Sequence, residues 1–177
     1  MNYFEFYDLP VSFNPDTQLI RKKFYELSKK YHPDFYVNQH KERQDEVLEL
    51  STINNNAYQV LADPQLRLHY ILELKGLLVE GESYSLPQDF LMEMMELNEA
   101  LMELQFEPDA GQLDTIKREV ALIDLNMRQE LDELTKKFEG QDEDAQAVTL
   151  AGIKELYYRR KYLHRINDSL IKLEAGL

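Results

Sequence analysis

The chain has 177 residues, of which 44% are hydrophobic, so it can build a folded core as one ordinary domain or two small ones. It contains no cysteine, which excludes disulfides, thiolate nucleophiles and cysteine-ligated metal centres on this chain. The net charge of −13 argues against general nucleic-acid binding, and no apolar run approaches the roughly 18 residues of a membrane span. The N-terminus, MNYFEFYDLP, lacks the basic segment of a secretory signal, so we expect a cytoplasmic location.

The first clear element is a helix predicted over residues 14–31, which Asn14 or Asp16 can cap. Its apolar residues recur at helical spacing in one stripe: Ile20, Phe24, Leu27 and Tyr31. Pro33 disfavours helical geometry at His32, so we expect the helix to end there. The helix also reverses the local charge of an acidic chain, with a cluster of five basic residues: Arg21, Lys22, Lys23, Lys29 and Lys30.

A second helix is predicted over residues 41–62, antiparallel to the first, and a short helix over residues 65–75. The expected buried face of the second helix comprises Val47, Leu50, Asn54, Ala57, Tyr58 and Leu61. Asp63-Pro64 ends it, and the short helix carries Leu66, Tyr70 and Leu74. The tripeptide His-Pro-Asp, HPD, is therefore placed in the loop that joins two antiparallel helices.

Glycine and proline mark residues 76–88 as a linker, and three longer helical stretches follow it. The clearest, over residues 113–138, has apolar residues in steps of three and four: Leu113, Ile116, Val120, Ile123, Met127, Leu131, Leu134 and Phe138. Residues 142–174 show the same spacing at Leu156, Leu163, Ile166, Leu170 and Leu173. The sequence thus predicts an all-α protein, with a helical domain over 1–75, a linker over 76–88 and a three-helix bundle over 89–177.

The residues of HPD, His32, Pro33 and Asp34, could form a catalytic pair, a pair of metal ligands, a helix stop or a contact surface for another protein. Catalysis needs a pocket with a nucleophile or a bound substrate, and no pocket-forming pattern surrounds this loop. Metal binding needs further ligands nearby, and the other three histidines are dispersed along the chain. We therefore expect no catalytic residue and no metal site, whereas the tripeptide alone leaves the helix stop and the contact surface open.

The context favours a contact surface. The segments YFEFYDLP, IRKKFYELSKKYHPD and INNNAYQVLADPQLRLHY make residues 3–75 resemble a J-domain, the module that docks on DnaK-type heat-shock chaperones and triggers their ATP hydrolysis. The resemblance implies a chaperone-binding surface made of His32, Pro33, Asp34, Arg21, Lys22, Lys23, Lys29 and Lys30. Many J-domains have Lys after the tripeptide, whereas this chain has Phe35, which removes one charge contact.

The first helix after the predicted linker, with the sequence FLMEMMELNEALMEL at residues 90–104, has two apolar stripes. One comprises Phe90, Met94, Leu97, Leu101 and Leu104. The other, displaced by about a third of a turn or more, comprises Leu91, Met92, Met95 and Met102 and is bordered by Glu96, Glu99 and Glu103. The pattern allows one wide buried face, or a buried first stripe and an exposed second stripe. In the latter case the adaptable methionines would contact a partner inside a rim of glutamates.

A J-domain followed by an acidic three-helix bundle is similar to the HscB family, the co-chaperones of iron–sulfur cluster assembly. FLMEMMELNEAL matches the family segment at which the scaffold protein IscU binds, and RKYLHRI aligns with a family aromatic position. The resemblance implies a scaffold-binding set of Leu91, Met92, Met95, Glu96, Glu99, Glu103 and Tyr162.

The resemblance implies a non-enzymatic co-chaperone that has no cofactor of its own. It would bind an IscU-type scaffold through the bundle and an HscA/DnaK-type ATPase through the J-domain. Two alternatives stay open: a J-domain protein with a different client, and a J-like helical scaffold without chaperone activity in which HPD is only a turn.

Overall fold

The computed structural model describes residues 1–176, which are helical apart from short connections and contain no strand. This confirms the all-α prediction. The chain divides into two compact units, residues 1–78 and the residues from 79 onward, and residue 177 of the predicted bundle lies outside the described residues. The helices are α1 (Tyr3–Phe6), α2 (Thr17–Lys30), α3 (Lys41–Ala62), α4 (Pro64–Leu74), α5 (Gln88–Phe106), α6 (Ala110–Phe138) and α7 (Glu143–Gly176), with a 3₁₀ turn at Pro33–Tyr36.

Side-chain caps fix where the helices begin. Of the two caps expected for α2, Asp16 is the one used, and its carboxylate accepts hydrogen bonds from the backbone N–H groups of Gln18 and Leu19 at 2.9 and 3.3 Å. The helix therefore begins at Thr17, three residues later than the start of the predicted range. Asp63 caps α4 in the same way.

A buried polar cluster ties α3 to its neighbours in the first unit. Asn54, the polar residue on the apolar face of α3, is only 1% exposed. Its amide nitrogen donates to the carbonyl oxygen of Phe24 at 3.2 Å and to the hydroxyl of Ser28 at 3.0 Å, both on α2. Its amide oxygen accepts from the Tyr7 hydroxyl at 2.9 Å. Burial raises the pKa of that hydroxyl, which therefore remains a protonated donor.

We expect Tyr7→Phe to lower the free energy of unfolding of the first unit by about 1–3 kcal/mol, because it leaves the buried Asn54 amide oxygen without its donor. Urea unfolding followed by circular dichroism measures the change. Tyr25→Phe is the matched control, since it removes the hydroxyl of a side chain that lies 58% exposed. Equal transition midpoints for the two variants would contradict a stabilising role for this cluster.

Two features of the first unit differ from the sequence analysis. Helix α1 was not predicted, although an Asn2–Glu5 capping box fixes its first turn. The face of α4 that packs inward comprises Arg67, Leu68, Ile71 and Leu72, whereas Leu66 and Leu74 are exposed. Arg67 is buried because its guanidinium donates to the carbonyl oxygens of Phe13 and Leu61, even though burial lowers its pKa.

The second unit is a bundle in which α6 runs opposite to α5 and α7. Lys117 near the start of α6 pairs with Glu174 near the end of α7 at 2.6 Å, and Phe90 at the start of α5 contacts Tyr162 in the middle of α7. The first apolar stripe of α5 is buried, as expected. It packs against buried residues of α6 and α7, namely Leu113, Ile116, Val120, Met127, Leu156, Leu163, Ile166 and Leu170. Ile123, Leu131, Leu134 and Leu173 pack against this core and are half-buried.

The second half of the predicted linker packs against α7. The carboxylate of Glu82 lies 3.0 Å from the ammonium of Lys154. The ring of Tyr84 stacks on Tyr158, with centroids 4.5 Å apart and planes only 8° from parallel. Burial raises the pKa of the Tyr84 hydroxyl. Residues 79–87 are therefore attached to the bundle rather than extended freely before it.

Candidate functional site

The HPD tripeptide forms a defined, exposed turn between α2 and α3. His32 caps the 3₁₀ turn, because its Nδ1 accepts a hydrogen bond from the backbone N–H of Asp34 at 3.3 Å. An accepting Nδ1 places the proton of the neutral imidazole on Nε2. Shortly after the tripeptide in the chain, the Tyr36 hydroxyl donates a hydrogen bond to the carbonyl oxygen of Lys30 at 2.7 Å, which ties the turn to the end of α2. The turn presents its imidazole and carboxylate to solvent in a fixed arrangement.

The surroundings of the turn suit contact with a protein surface. The His32 side chain is 52% exposed and the Asp34 side chain 84% exposed. Phe35, with 72% of its surface exposed, meets the His32 ring edge-on at 5.7 Å. Within residues 1–176, no three His, Asp or Glu side chains lie close enough together to hold a metal ion.

The five basic residues of α2 are not equally available. Four of them are exposed, whereas Lys23 is half-buried and its ammonium lies 3.2 Å from the Asp8 carboxylate. The ammonium of Lys22 lies 3.9 Å from Glu26 one turn along the helix. Arg21, Lys29 and Lys30 therefore supply most of the positive charge that a partner would meet.

The second apolar stripe of α5 lies on the surface. Met92, Met95 and Met102 are 57%, 58% and 58% exposed, and Leu91 is half-buried. Glu96, Glu99 and Glu103 are all exposed. Because the first stripe alone fills the core position of α5, the structure rules out one wide buried face. The predicted site set omitted Met102, although its spacing places it in the same stripe.

Tyr162 lies at the edge of the bundle core. Its half-buried ring meets Phe90 edge-on at 6.2 Å, and the guanidinium of Arg159 lies 5.3 Å from the centre of the Phe90 ring. Tyr162 thus contacts Phe90, the residue that directly precedes Leu91 in the chain.

Two family models match the chain in consecutive segments. The DnaJ domain matches residues 3–70, and the HSCB C-terminal oligomerisation domain matches residues 86–171. The chain belongs to the HscB family of J-domain co-chaperones. The first unit matches the general J-domain model, and the second unit matches the model that is specific to the HscB family.

Solved structures agree with HscB membership. The chain is similar to chaperone HscB from Vibrio cholerae, with 28% identity over 99% of each chain and a TM-score of 0.65. It is also similar to the human co-chaperone protein HscB, with 26% identity, a TM-score of 0.71, and coverage of 100% of this chain and 84% of the human one. Like them, it combines both units in one chain. No helix within residues 1–176 has the length and apolar character needed to cross a membrane.

The structure also adds residues that the sequence analysis of this HscB-family chain missed. Gln44 on α3 donates from its amide nitrogen to the carbonyl oxygens of Val37 and Gln39, at 3.1 and 2.9 Å. Together with Tyr36, it holds the segment after HPD in place. Both contacts depend on how the chain folds back on itself, so no motif in the sequence marks them.

Proposed function

We propose that this co-chaperone binds an IscU-type iron–sulfur scaffold through the exposed stripe of α5 and presents it to an HscA/DnaK-type ATPase through its J-domain. The observation that carries the proposal is the exposure of Met92 and Met95 on a helix whose other apolar stripe already fills the core. An exposed apolar stripe with a charged border is a typical protein interface. We propose the same functional ranges as above: 1–75, 76–88 and 89–177.

The J-domain part of the proposal rests on HPD and on the basic residues of α2. The tripeptide is exposed and is held by hydrogen bonds within its own turn, so a partner can contact it without unfolding anything. Binding both partners at once raises the effective concentration of the scaffold at the ATPase. Contact with HPD then favours the ATP-hydrolysing state of the chaperone, which couples two separate sites.

A steady-state ATPase assay tests the proposal. The chaperone is measured alone, with this protein, with the scaffold and with both. We expect stimulation with both that exceeds the sum of the separate effects. If this protein stimulates the ATPase equally with and without the iron–sulfur scaffold, a J-domain protein with a different client is favoured. If it does not stimulate the ATPase at all, a J-like helical scaffold without chaperone activity is favoured.

Association with the chaperone should weaken as salt increases. Arg21, Lys29 and Lys30 concentrate exposed positive charge on α2, and such charges act mainly on the association rate. Their reach falls to about 8 Å at physiological ionic strength. Association kinetics across a salt series should therefore show a falling on-rate. The variant Arg21→Ala/Lys29→Ala/Lys30→Ala should lose most of this dependence, whereas a flat on-rate for the unmodified protein would mean that the basic residues only face solvent.

A further inference from the structure

Helix α7 carries a basic stripe inside an otherwise acidic unit. Residues 79–177 hold 11 Lys and Arg against 22 Asp and Glu, yet residues 154–172 hold 6 against 2. Four of these cations recur at spacings of seven, four and seven and fall within about 40° of one another around the helix. They are Lys154, Lys161, Arg165 and Lys172.

Most of this stripe has no internal partner. Lys154 pairs with Glu82, as described above. Within residues 1–176, no carboxylate lies within 4.0 Å of the charged nitrogens of Lys161, Arg165 or Lys172, although the Lys161 ammonium lies 5.7 Å from the Tyr157 ring centre. Four cations of the bundle outside the stripe each lie within 3.0 Å of a carboxylate: Lys117, Arg118, Arg128 and Arg159.

The two acidic residues of this segment do not neutralise the stripe. Glu155 pairs with Arg159 at 3.0 Å, on the side of α7 that faces α5. Asp168 lies 3.7 Å from His164. Asp168 lies beside the stripe around α7, so three cations and one carboxylate together present a net positive charge to solvent.

The contacts of α7 place this stripe on its outer face, nearer to the contacts with α5 than to those with α6. Around α7, α6 contacts Gly152 and Glu174, whereas α5 contacts Arg159 and Tyr162. A rotation around α7 that starts at its contacts with α6 and passes its contacts with α5 reaches the basic stripe next. The stripe lies about 60–100° beyond Tyr162.

The exposed stripe of α5 borders the same outer surface. The helices α5 and α7 run in the same direction, and both are right-handed. The outer surface that lies clockwise from their mutual contact on one helix therefore lies anticlockwise from it on the other. On α5 that rotation leads from Phe90 to Leu91, Met95 and Met102, at about 100–140°. The glutamates that border this stripe lie farther round α5, away from α7.

We propose that the scaffold-binding surface is polarised in charge, with an apolar centre, an acidic border on α5 and a second, basic border on α7 formed by Lys161, Arg165 and Lys172. This inference rests on the proposed scaffold binding and specifies its partner further. The bound face of the scaffold carries carboxylates opposite α7 and basic groups opposite the glutamates of α5. Complementary charge on both sides of an apolar centre fixes the orientation of the partner as well as speeding its arrival.

The variant Lys161→Glu/Arg165→Glu tests the inference, with association and dissociation rates measured against a purified IscU-type scaffold. We expect the association rate at low salt to fall about tenfold and the dissociation rate to change less than about threefold. Lys136→Glu/Lys137→Glu, on exposed positions of α6, makes the same change in net charge and should alter association less than about twofold. Lys161→Ala/Arg165→Ala should give an intermediate loss, and it replaces the glutamate variant if melting curves show that the latter is misfolded.

The outcomes separate this inference from the proposed function. If the charge variants bind like the unmodified protein while Met92→Ala/Met95→Ala does not bind, the basic border is overturned and scaffold binding stands. If neither the charge variants of α7 nor Met92→Ala/Met95→Ala changes scaffold binding, both the basic border and the proposed scaffold-binding function are refuted. Equal losses for the α7 and α6 variants, or faster association after charge reversal on α7, would also overturn the acidic partner surface.

Discussion

His32→Gln is expected to remove stimulation of the chaperone ATPase and to leave the fold and scaffold binding unchanged. The side chain is half-exposed, and its one hydrogen bond within residues 1–176 comes from the Asp34 N–H in a solvent-facing turn. A change at such a surface position commonly alters stability by less than about 0.5 kcal/mol. Glutamine has no aromatic ring and places its amide N–H at a different position from the imidazole Nε2–H. A partner that reads the shape and charge of the turn would lose its contact.

His40→Gln is the matched control for this prediction. His40 is also exposed, lies in the same interhelical segment and caps α3 without a side-chain hydrogen bond. We expect it to stimulate the ATPase like the unmodified protein. ATPase rates, melting curves and scaffold titrations are compared for both variants. Normal stimulation by a folded His32→Gln protein would remove the proposed role of HPD.

Elements with a long apolar repeat were predictable from the sequence. The range of α3 agrees with the prediction, because 22 residues give six turns of periodic pattern and Asp63-Pro64 marks the end. Helix α1 has four residues, barely one turn, so no repeat can show in it. Its one sequence signal is the pair Asn2 and Glu5 at capping-box spacing, which is weak without a following apolar run.

Contacts between residues distant in the chain were not predictable. Tyr84 and Tyr158 are 74 positions apart, and nothing in residues 76–88 indicates that their second half packs against α7. The burial of Arg67 likewise depends on two backbone carbonyl oxygens that only the folded chain brings together. The net charge of −13 gives no sign of the basic stripe of α7, because a few clustered cations are outweighed by the acidic residues of the whole chain.

Both stripes of α5 could be derived from the sequence, but their burial could not be assigned. Each stripe is apolar enough to pack in a core. The structure decides between them because two neighbouring helices, α6 and α7, cover only one side of α5. The stripe that contains Met94 faces them, and the stripe that contains Met95 is left on the surface.

The triple variant Leu91→Ala/Met92→Ala/Met95→Ala is expected to remain folded and to bind the scaffold at least about tenfold more weakly. A truncated apolar anchor at the centre of an interface commonly costs more than about 1 kcal/mol of binding, and three are removed here. If all three were core residues, each would cost about 2–5 kcal/mol and the bundle would unfold. Met92 and Met95 are more than half exposed, so the half-buried Leu91 should account for most of any loss of stability.

Four comparison variants isolate the binding effect. Met92→Ala/Met95→Ala removes only the exposed methionines and should melt like the unmodified protein while still losing most of the affinity. Leu122→Ala/Leu125→Ala removes two exposed leucines of α6, which are 57% and 51% exposed, and should change neither property. Met94→Ala, in the buried stripe, should lower the melting temperature clearly. Glu96→Ala/Glu99→Ala/Glu103→Ala should weaken binding less than the apolar variants do, and in a salt-sensitive way, as charges at a solvated border do. If the triple variant or Met92→Ala/Met95→Ala is folded and binds an IscU-type protein with unchanged affinity, the proposed site on α5 is refuted, because these variants lack the side chains that the site requires.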